Sequence, residues 1–228
     1  MSKRKRISRI DQLLDASAKV FISRGYKRAG MSDIAREMGV APGTIYLYVE
    51  SKEALFHLLV MRTAIDSGVG VSELPARTPA PGATLEMLRK TLTLDNYAPR
   101  LAAALRGPRG SYSFDDVPAI ITELYDNAYA RRTGIDLIER SAIDWPEMEE
   151  VFYEGLREPL VKALSDYLQR GISAGKLRPV TSARVAARFI VETIAWFAIH
   201  RHGDPRPKDF PDDEARAGVI ALLTETLL

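Results

Sequence analysis

The chain has 228 residues, 46% of them apolar and 27% charged, with no cysteine. That is enough apolar material for one large or two small buried cores, and it is not the composition of a disordered segment. A disulfide framework and a thiolate metal site are excluded, no apolar run approaches the roughly 18 to 20 residues of a membrane span, and MSKRKRISR lacks a following signal-peptide core, so a soluble, cytoplasmic protein is expected.

The net charge of +2 hides an asymmetry. Residues 1–60 carry 11 Lys and Arg against 6 Asp and Glu, whereas the remainder carries 21 against 24. The excess gathers at Lys3, Arg4, Lys5, Arg6 and Arg9, read as an arm ahead of the first helix, and at Lys27 and Arg28 after it. Such a cluster attracts phosphate through counterion release, or serves only solubility.

Helical periodicity runs throughout, predicting an all-α fold of about nine helices. The first places Ile10, Leu13, Leu14, Ser17, Ala18 and Phe21 on one face and stops at Gly25, with Tyr26 set to make an apolar contact beyond the stop. A short helix follows, capped by Ser32 with Asp33 in its first turn, and Gly39 ends it. A third starts near Pro42 and Gly43, and a fourth at Ser51. PARTPAPG, residues 75–82, reads as a hinge. Helices are then predicted at 83–106, 117–143, 147–174, 181–202 and 212–227, with Pro159 kinking or splitting the third of these. The boundaries give a domain at 1–50 and a second at 51–228, in which 51–70 is a connecting helix.

Between Met31 and Tyr48 the spacing is that of a helix-turn-helix. Ala35 is small enough for a second helix to cross closely, Gly39 can take the positive φ of the turn, and Val40 and Ile45 close the small core. Ala41, Pro42, Gly43 and Thr44 then form an outward-facing helix start suited to a major groove. Thr44 can hydrogen-bond a base or offer its methyl to thymine. One of Tyr46 and Tyr48 reads groove walls or bases while the other presents its hydroxyl to phosphate, unless both are packing residues. Lys52 is badly placed for its helix dipole and is expected to face a phosphate, and Ser32 can help its helix hold another.

GYKRAGMSDIAREMGVAPGTIYLYVESKEALF closely resembles the DNA-binding domain of the tetracycline-repressor (TetR) family of bacterial transcriptional regulators, over about residues 8–60. The resemblance implies phosphate contact near Ser32, base or groove contact from Pro42 to Thr44 and Tyr46, and phosphate contact from Tyr48 and Lys52. Val49 stands where phenylalanine is usual, and Leu47 where many relatives carry a basic or polar residue. GISAGKLRPVTSARVAARFIVETIAWFAIHRH is similar to the family's glycine turn and penultimate helix, which usually pairs with its symmetry mate.

The residues support that pairing, since only Arg188, Glu192 and Thr193 interrupt an apolar run from Val185 to Ile199. With the final amphipathic helix it would form an intermolecular four-helix bundle through Val185, Phe189, Glu192, Trp196, Ile199, Ile220 and Leu223, or else be a plain core helix. A homodimer suits a palindromic double-stranded operator read by two short helices about 34 Å apart. A small-molecule effector, of the kind such regulators usually bind, would be lined by Tyr97, Tyr125, Tyr129, Trp145 and Phe152, with Tyr112, Phe114 and Tyr153 as further aromatics and Arg131 and Arg132 able to meet an acidic group. Tilting the fourth helix would then move the reading head. No cofactor or metal is expected. Phosphate-binding loops, dinucleotide fingerprints, nucleophile elbows and zinc helices are all absent from the sequence, so the protein is read as a regulator, most simply a repressor, and not an enzyme. The alternatives are a ligand-independent architectural or cell-division factor, an activator, or a helical interaction protein that does not meet DNA.

Overall fold

The computed structural model describes residues 3–65, 73–107, 116–204 and 210–228, with side chains from residue 9 onward. Its helices are α1 (Lys3–Arg24), α2 (Met31–Met38), α3 (Pro42–Ile45), α4 (Lys52–Thr63), α5 (Ala83–Thr91), α6 (Leu94–Tyr97), α7 (Pro99–Arg106), α8 (Val117–Ala130), α9 (Arg132–Ala142), α10 (Pro146–Glu149), a π-helical run Glu150–Arg157, α11 (Glu158–Ser173), α12 (Ala183–Ala198), a 3-10 turn His200–Gly203 and α13 (Asp212–Leu227). Among the described residues the one β feature is an isolated parallel bridge between Val49 and Ala76. The fold is all-α.

Several predicted helices are divided for local reasons. Thr93 caps α6, its side chain accepting from Asn96 N–H, and Pro99 starts α7 at its first turn, so residues 83–106 form three helices. The 117–143 span breaks at Arg131 into α8 and α9. Ahead of Pro159 the chain runs as a π-helix: a proline has no N–H for the carbonyl four residues back, and a widened register accommodates that loss. Lys3 to Arg9 lie within α1, as continuous helix formers, where a free arm was expected. Tyr112 and Phe114 fall outside the described residues.

Two compact units emerge. The first joins residues 1–91 to 133–152, and the second joins 92–132 to 153–228. In the first, Leu13, Phe21, Ile34, Ile45, Leu55, Phe56 and Leu59 are wholly buried, so α1 to α4 share one core. Buried apolar surface contributes about 25 cal/mol per Å2 to such a core, before chain entropy opposes it. Arg62 of α4 pairs with Asp11 and Asp15 of α1 at its rim. Gly134 of α9 lies so close to the end of α4 that a Cβ there would meet Ala64 N at 2.5 Å.

In the second unit Ile120, Leu124, Tyr125, Leu164, Tyr167, Ala187 and Ile190 build a core from α8, α11 and α12. Arg157 and Arg188 both pair with Glu192, and Arg188 also reaches Glu158. Arg216 binds Asp126 through two hydrogen bonds of 2.6 and 2.8 Å.

Candidate nucleic-acid interface

Alternating buried and open positions create the surface at the turn between α2 and α3. Ala35 and Ile34 are buried on α2, Gly39 takes φ +70°, and Val40 N–H returns to Ala35 O at 2.9 Å. A side chain other than glycine is strained at that φ, so the sharp reversal depends on Gly39. Ile45 is wholly buried and anchors α3 from beneath. The opposite edge is open: Ala41, Pro42 and Gly43 are exposed, Thr44 is half-buried, and Tyr46 is 49% exposed. Because α3 is a single turn, its summed dipole is slight, and the surface acts through its shape and side chains. Leu47 is also exposed beside it.

The flanking residues are placed differently from one another. Ser32 lies exposed in the first turn of α2 and is not its cap; the cap is Gly30, whose N–H donates to Asp33 Oδ2 at 3.2 Å. Arg28 is exposed, with Nε donating to Arg24 O at 2.9 Å and lying 3.6 Å from Asp144. Tyr48 is only 7% exposed, so little of it is open to a phosphate. Lys52 Nζ donates to Tyr26 O at 3.0 Å, Ala29 O at 3.2 Å and Lys27 O at 3.4 Å, and lies 4.5 Å from the Tyr26 ring centre. All three ammonium protons thus have acceptors, and a phosphate would have to displace one. Sequence pattern could not show this, because the acceptors are main-chain carbonyls more than 20 residues away.

The expected hinge at 75–82 lies inside the first unit and is tied to the exit of α3. Ala76 N–H donates to Tyr48 O at 2.8 Å, Glu50 N–H to Ala76 O at 3.0 Å, and Thr78 N–H to Glu50 Oε2 at 2.8 Å. Thr78 Oγ1 then meets Ser51 Oγ, the α4 cap, at 2.8 Å. Behind this strap, Tyr26 packs on Phe56 at 4.7 Å between ring centres and stacks on Trp145 at 4.8 Å. Tyr26 also donates its hydroxyl to Glu53 Oε1 at 3.1 Å. Glu53's own backbone N–H, then the Tyr26 and Ser51 hydroxyls, hold its carboxyl below the usual range, while burial pushes the Tyr26 phenol up. His57 shares a 2.9 Å hydrogen bond with Thr84, and burial pushes its imidazole down.

The aromatics expected around an effector divide between the units. Trp145 and Phe152 belong to the first; Tyr97, Tyr125 and Tyr129 belong to the second. Tyr97 and Tyr125 are buried, and burial raises both phenols. Tyr129 donates to Asp212 Oδ2 at 2.7 Å under the Arg132 guanidinium, which lies 4.3 Å from its ring centre. Asp212 also pairs with buried Arg201. Arg131 reaches Asn127 Oδ1 at 3.0 Å.

On α12, Val185, Phe189 and Trp196 form an exposed stripe, Phe189 being 63% open. Glu192 sits beside it, already paired with two arginines. Ile199 and Leu223 point into the chain's own core, Ile220 is half-buried, and Leu222, which the periodicity did not single out, is 67% exposed. It could have been found from α13's buried series Ala215, Val219, Leu223 and Leu227, which leaves Leu222 off the inner face. A groove of about 360 Å3 runs between α12 and α13, with Phe189, Thr193, Phe197, Gly218 and Leu222 among its walls.

Residues 13–59 match the family described as bacterial regulatory proteins, tetR family. Over 42 residues the chain is 48% identical to the fatty acid metabolism regulator protein of Bacillus subtilis (strain 168), covering 18% of this chain and 22% of that protein, so it spans about a fifth of that relative's length. The ketosteroid transcriptional regulator KstR2 of Mycobacterium tuberculosis superposes with a TM-score of 0.57 at 16% identity, over 96% of this chain and 94% of that one. AibR, solved in complex with isovaleryl coenzyme A and operator DNA, gives 0.51 at 14% identity, over 96% and 100%. At these identities the two structures share a fold with this chain.

Proposed function

We propose, from the premise that the chain belongs to the tetR family of bacterial regulatory proteins, that it is a ligand-responsive DNA-binding transcriptional regulator, a repressor that holds a palindromic operator as a homodimer and is released by a small molecule. The observation that carries this is the open edge Ala41–Gly43 with half-exposed Tyr46, mounted on buried Ala35 and Ile45. A rigid support with an exposed leading edge is what groove reading requires. In this reading residues 1–50 meet DNA, 51–70 connect, and the rest of 51–228 holds the effector and the dimer contact. Thr44 and Tyr46 face bases, while Ser32 and Arg28 face phosphates. Tyr48 and Lys52 act chiefly by holding the head in shape, with any phosphate contact secondary. The stripe of Val185, Phe189, Trp196 and Leu222 pairs two copies, whose heads then span successive turns of a duplex. The effector lies among the α8 aromatics, and no catalysis is assigned. A cytoplasmic location follows, because that is where the operator is.

Selection from a random duplex library followed by titration against salt tests this. A palindrome should emerge, its affinity falling linearly with log salt concentration. Thr44→Ala should change base preference at one position of each half-site, whereas Arg28→Ala should weaken all sequences alike. Selection that yields no preferred duplex and no salt slope refutes the reading.

A further inference from the structure

The first unit contains a cavity of about 150 Å3 that the proposed regulator does not use. Tyr26, Phe56 and Trp145, whose rings pack together, line it with Pro79 to Gly82, Thr84 and Leu85. A mostly apolar space of that size holds one benzene-sized ring. Its polar features are few and specific. The Glu53 carboxylate is at the wall, and the Tyr26 hydroxyl already donates its proton to it. Thr84 Oγ1 shares a hydrogen bond with His57 Nδ1. What Tyr26 and Glu53 have left to give is therefore acceptor capacity, so the matching ligand carries a hydrogen-bond donor.

We propose that this cavity binds a small monocyclic aromatic bearing one hydroxyl or amine donor, with its ring against Phe56 and Trp145 and its donor on Glu53 and Tyr26, and that occupancy is transmitted to the exit of α3. An anionic ring is disfavoured beside the Glu53 carboxylate. The transmission path is short. The wall at 79–82 continues directly from Ala76 and Thr78, whose hydrogen bonds hold Tyr48, Glu50 and Ser51. A ring seated against Pro79 and Pro81 restrains that strap, and through it the main chain that follows α3. Phe56, which also lines the cavity, belongs to α4, whose cap is the same Ser51. The binding site stands independently of the operator reading; only its consequence for transcription rests on that reading.

The experiment is a titration of the full chain with phenol, followed by amide and indole NMR shifts, with Trp196→Phe used to identify the Trp145 indole. The Trp145 indole and the amides of Ala80 and of residues 82–85 should shift and saturate, with half-saturation in the low-millimolar range for so few atoms. Ala80→Phe, a substitution at an exposed position on the rim, should fill the cavity and weaken binding at least about tenfold. Glu53→Gln should reduce the preference for phenol over toluene. Shifts that stay linear in phenol, or that are unchanged in Ala80→Phe, overturn the site. Saturable binding that leaves the Val49 and Glu50 amides unmoved overturns the transmission. Because no DNA is present, failure here is distinguishable from failure to bind an operator.

Discussion

Replacing Gly134 by alanine probes the packing on which the first unit depends. Its added Cβ would lie 2.5 Å from Ala64 N and 2.6 Å from both Ala64 Cα and Thr63 C. Ordinary carbon contacts lie near 3.5 to 4.0 Å, so α9 and the end of α4 must separate by about 1 Å. The atoms met are main chain, and no change of rotamer relieves them. Overpacking of this kind costs about 1–3 kcal/mol, against a gain of up to about 1 kcal/mol when alanine replaces glycine within a helix. Since main chain cannot give way, the cost falls in the upper half of that range, about 2–3 kcal/mol, and the net loss of about 1–2 kcal/mol in a chain this long lowers Tm by roughly 2–8 °C. Scanning calorimetry of Gly134→Ala beside Gly155→Ala, whose Cβ would meet nothing within 4 Å, separates packing from propensity. A Tm for Gly134→Ala equal to or above that of the unsubstituted chain would refute the reasoning.

Three further outcomes follow from the geometry. Lys52→Met strands three carbonyls that now accept from one ammonium, so urea unfolding should show a loss of about 1–3 kcal/mol and hydrogen exchange should quicken across residues 25–31. His57, whose folded pKa lies below the unfolded value near 6.5, stabilises the fold fully above that pH and loses its contribution as pH falls below it. The drop in urea midpoint from pH 7.5 to 5.5 should accordingly be smaller in His57→Gln than in the unsubstituted chain. Phe189→Glu places a charge on the exposed α12 stripe, and sedimentation should show self-association weakened roughly thirtyfold or more, with helical circular dichroism unchanged.

Features set by neighbours in the chain were legible in the sequence. The stop at Gly25, the reversal at Gly39, the start of α4 at Ser51 and the limits of α13 each depend on residues within one or two turns. The contact of Tyr26 with Phe21, at 5.9 Å between ring centres, was readable for the same reason. What could not be read is what distant residues decide. Ala76 and Thr78 look like linker until they are paired with Tyr48 and Glu50, and Lys52 looks like a phosphate ligand until the carbonyls of Tyr26, Lys27 and Ala29 surround it. Ser32 has the chemistry of a cap but lies two residues past Gly30, where Asp33 already fills that role. On α12 the apolar run was evident, yet its outer side had to wait for α8, α11 and α13 to cover Ile190, Ile194 and Ala198 and leave Phe189 open.

The first unit is assembled from two stretches of chain, residues 1–91 and 133–152, with 41 residues of the second unit between them. On a ribosome adding about 5–20 residues per second, several seconds separate the emergence of α5 from that of Trp145. During that interval Phe56 and Tyr26 lack the indole that later packs beside them. A gene fragment cut after residue 91 would freeze the molecule at that stage. Anyone grafting this head onto another protein must therefore carry the later stretch as well, or redesign the surface it would have covered.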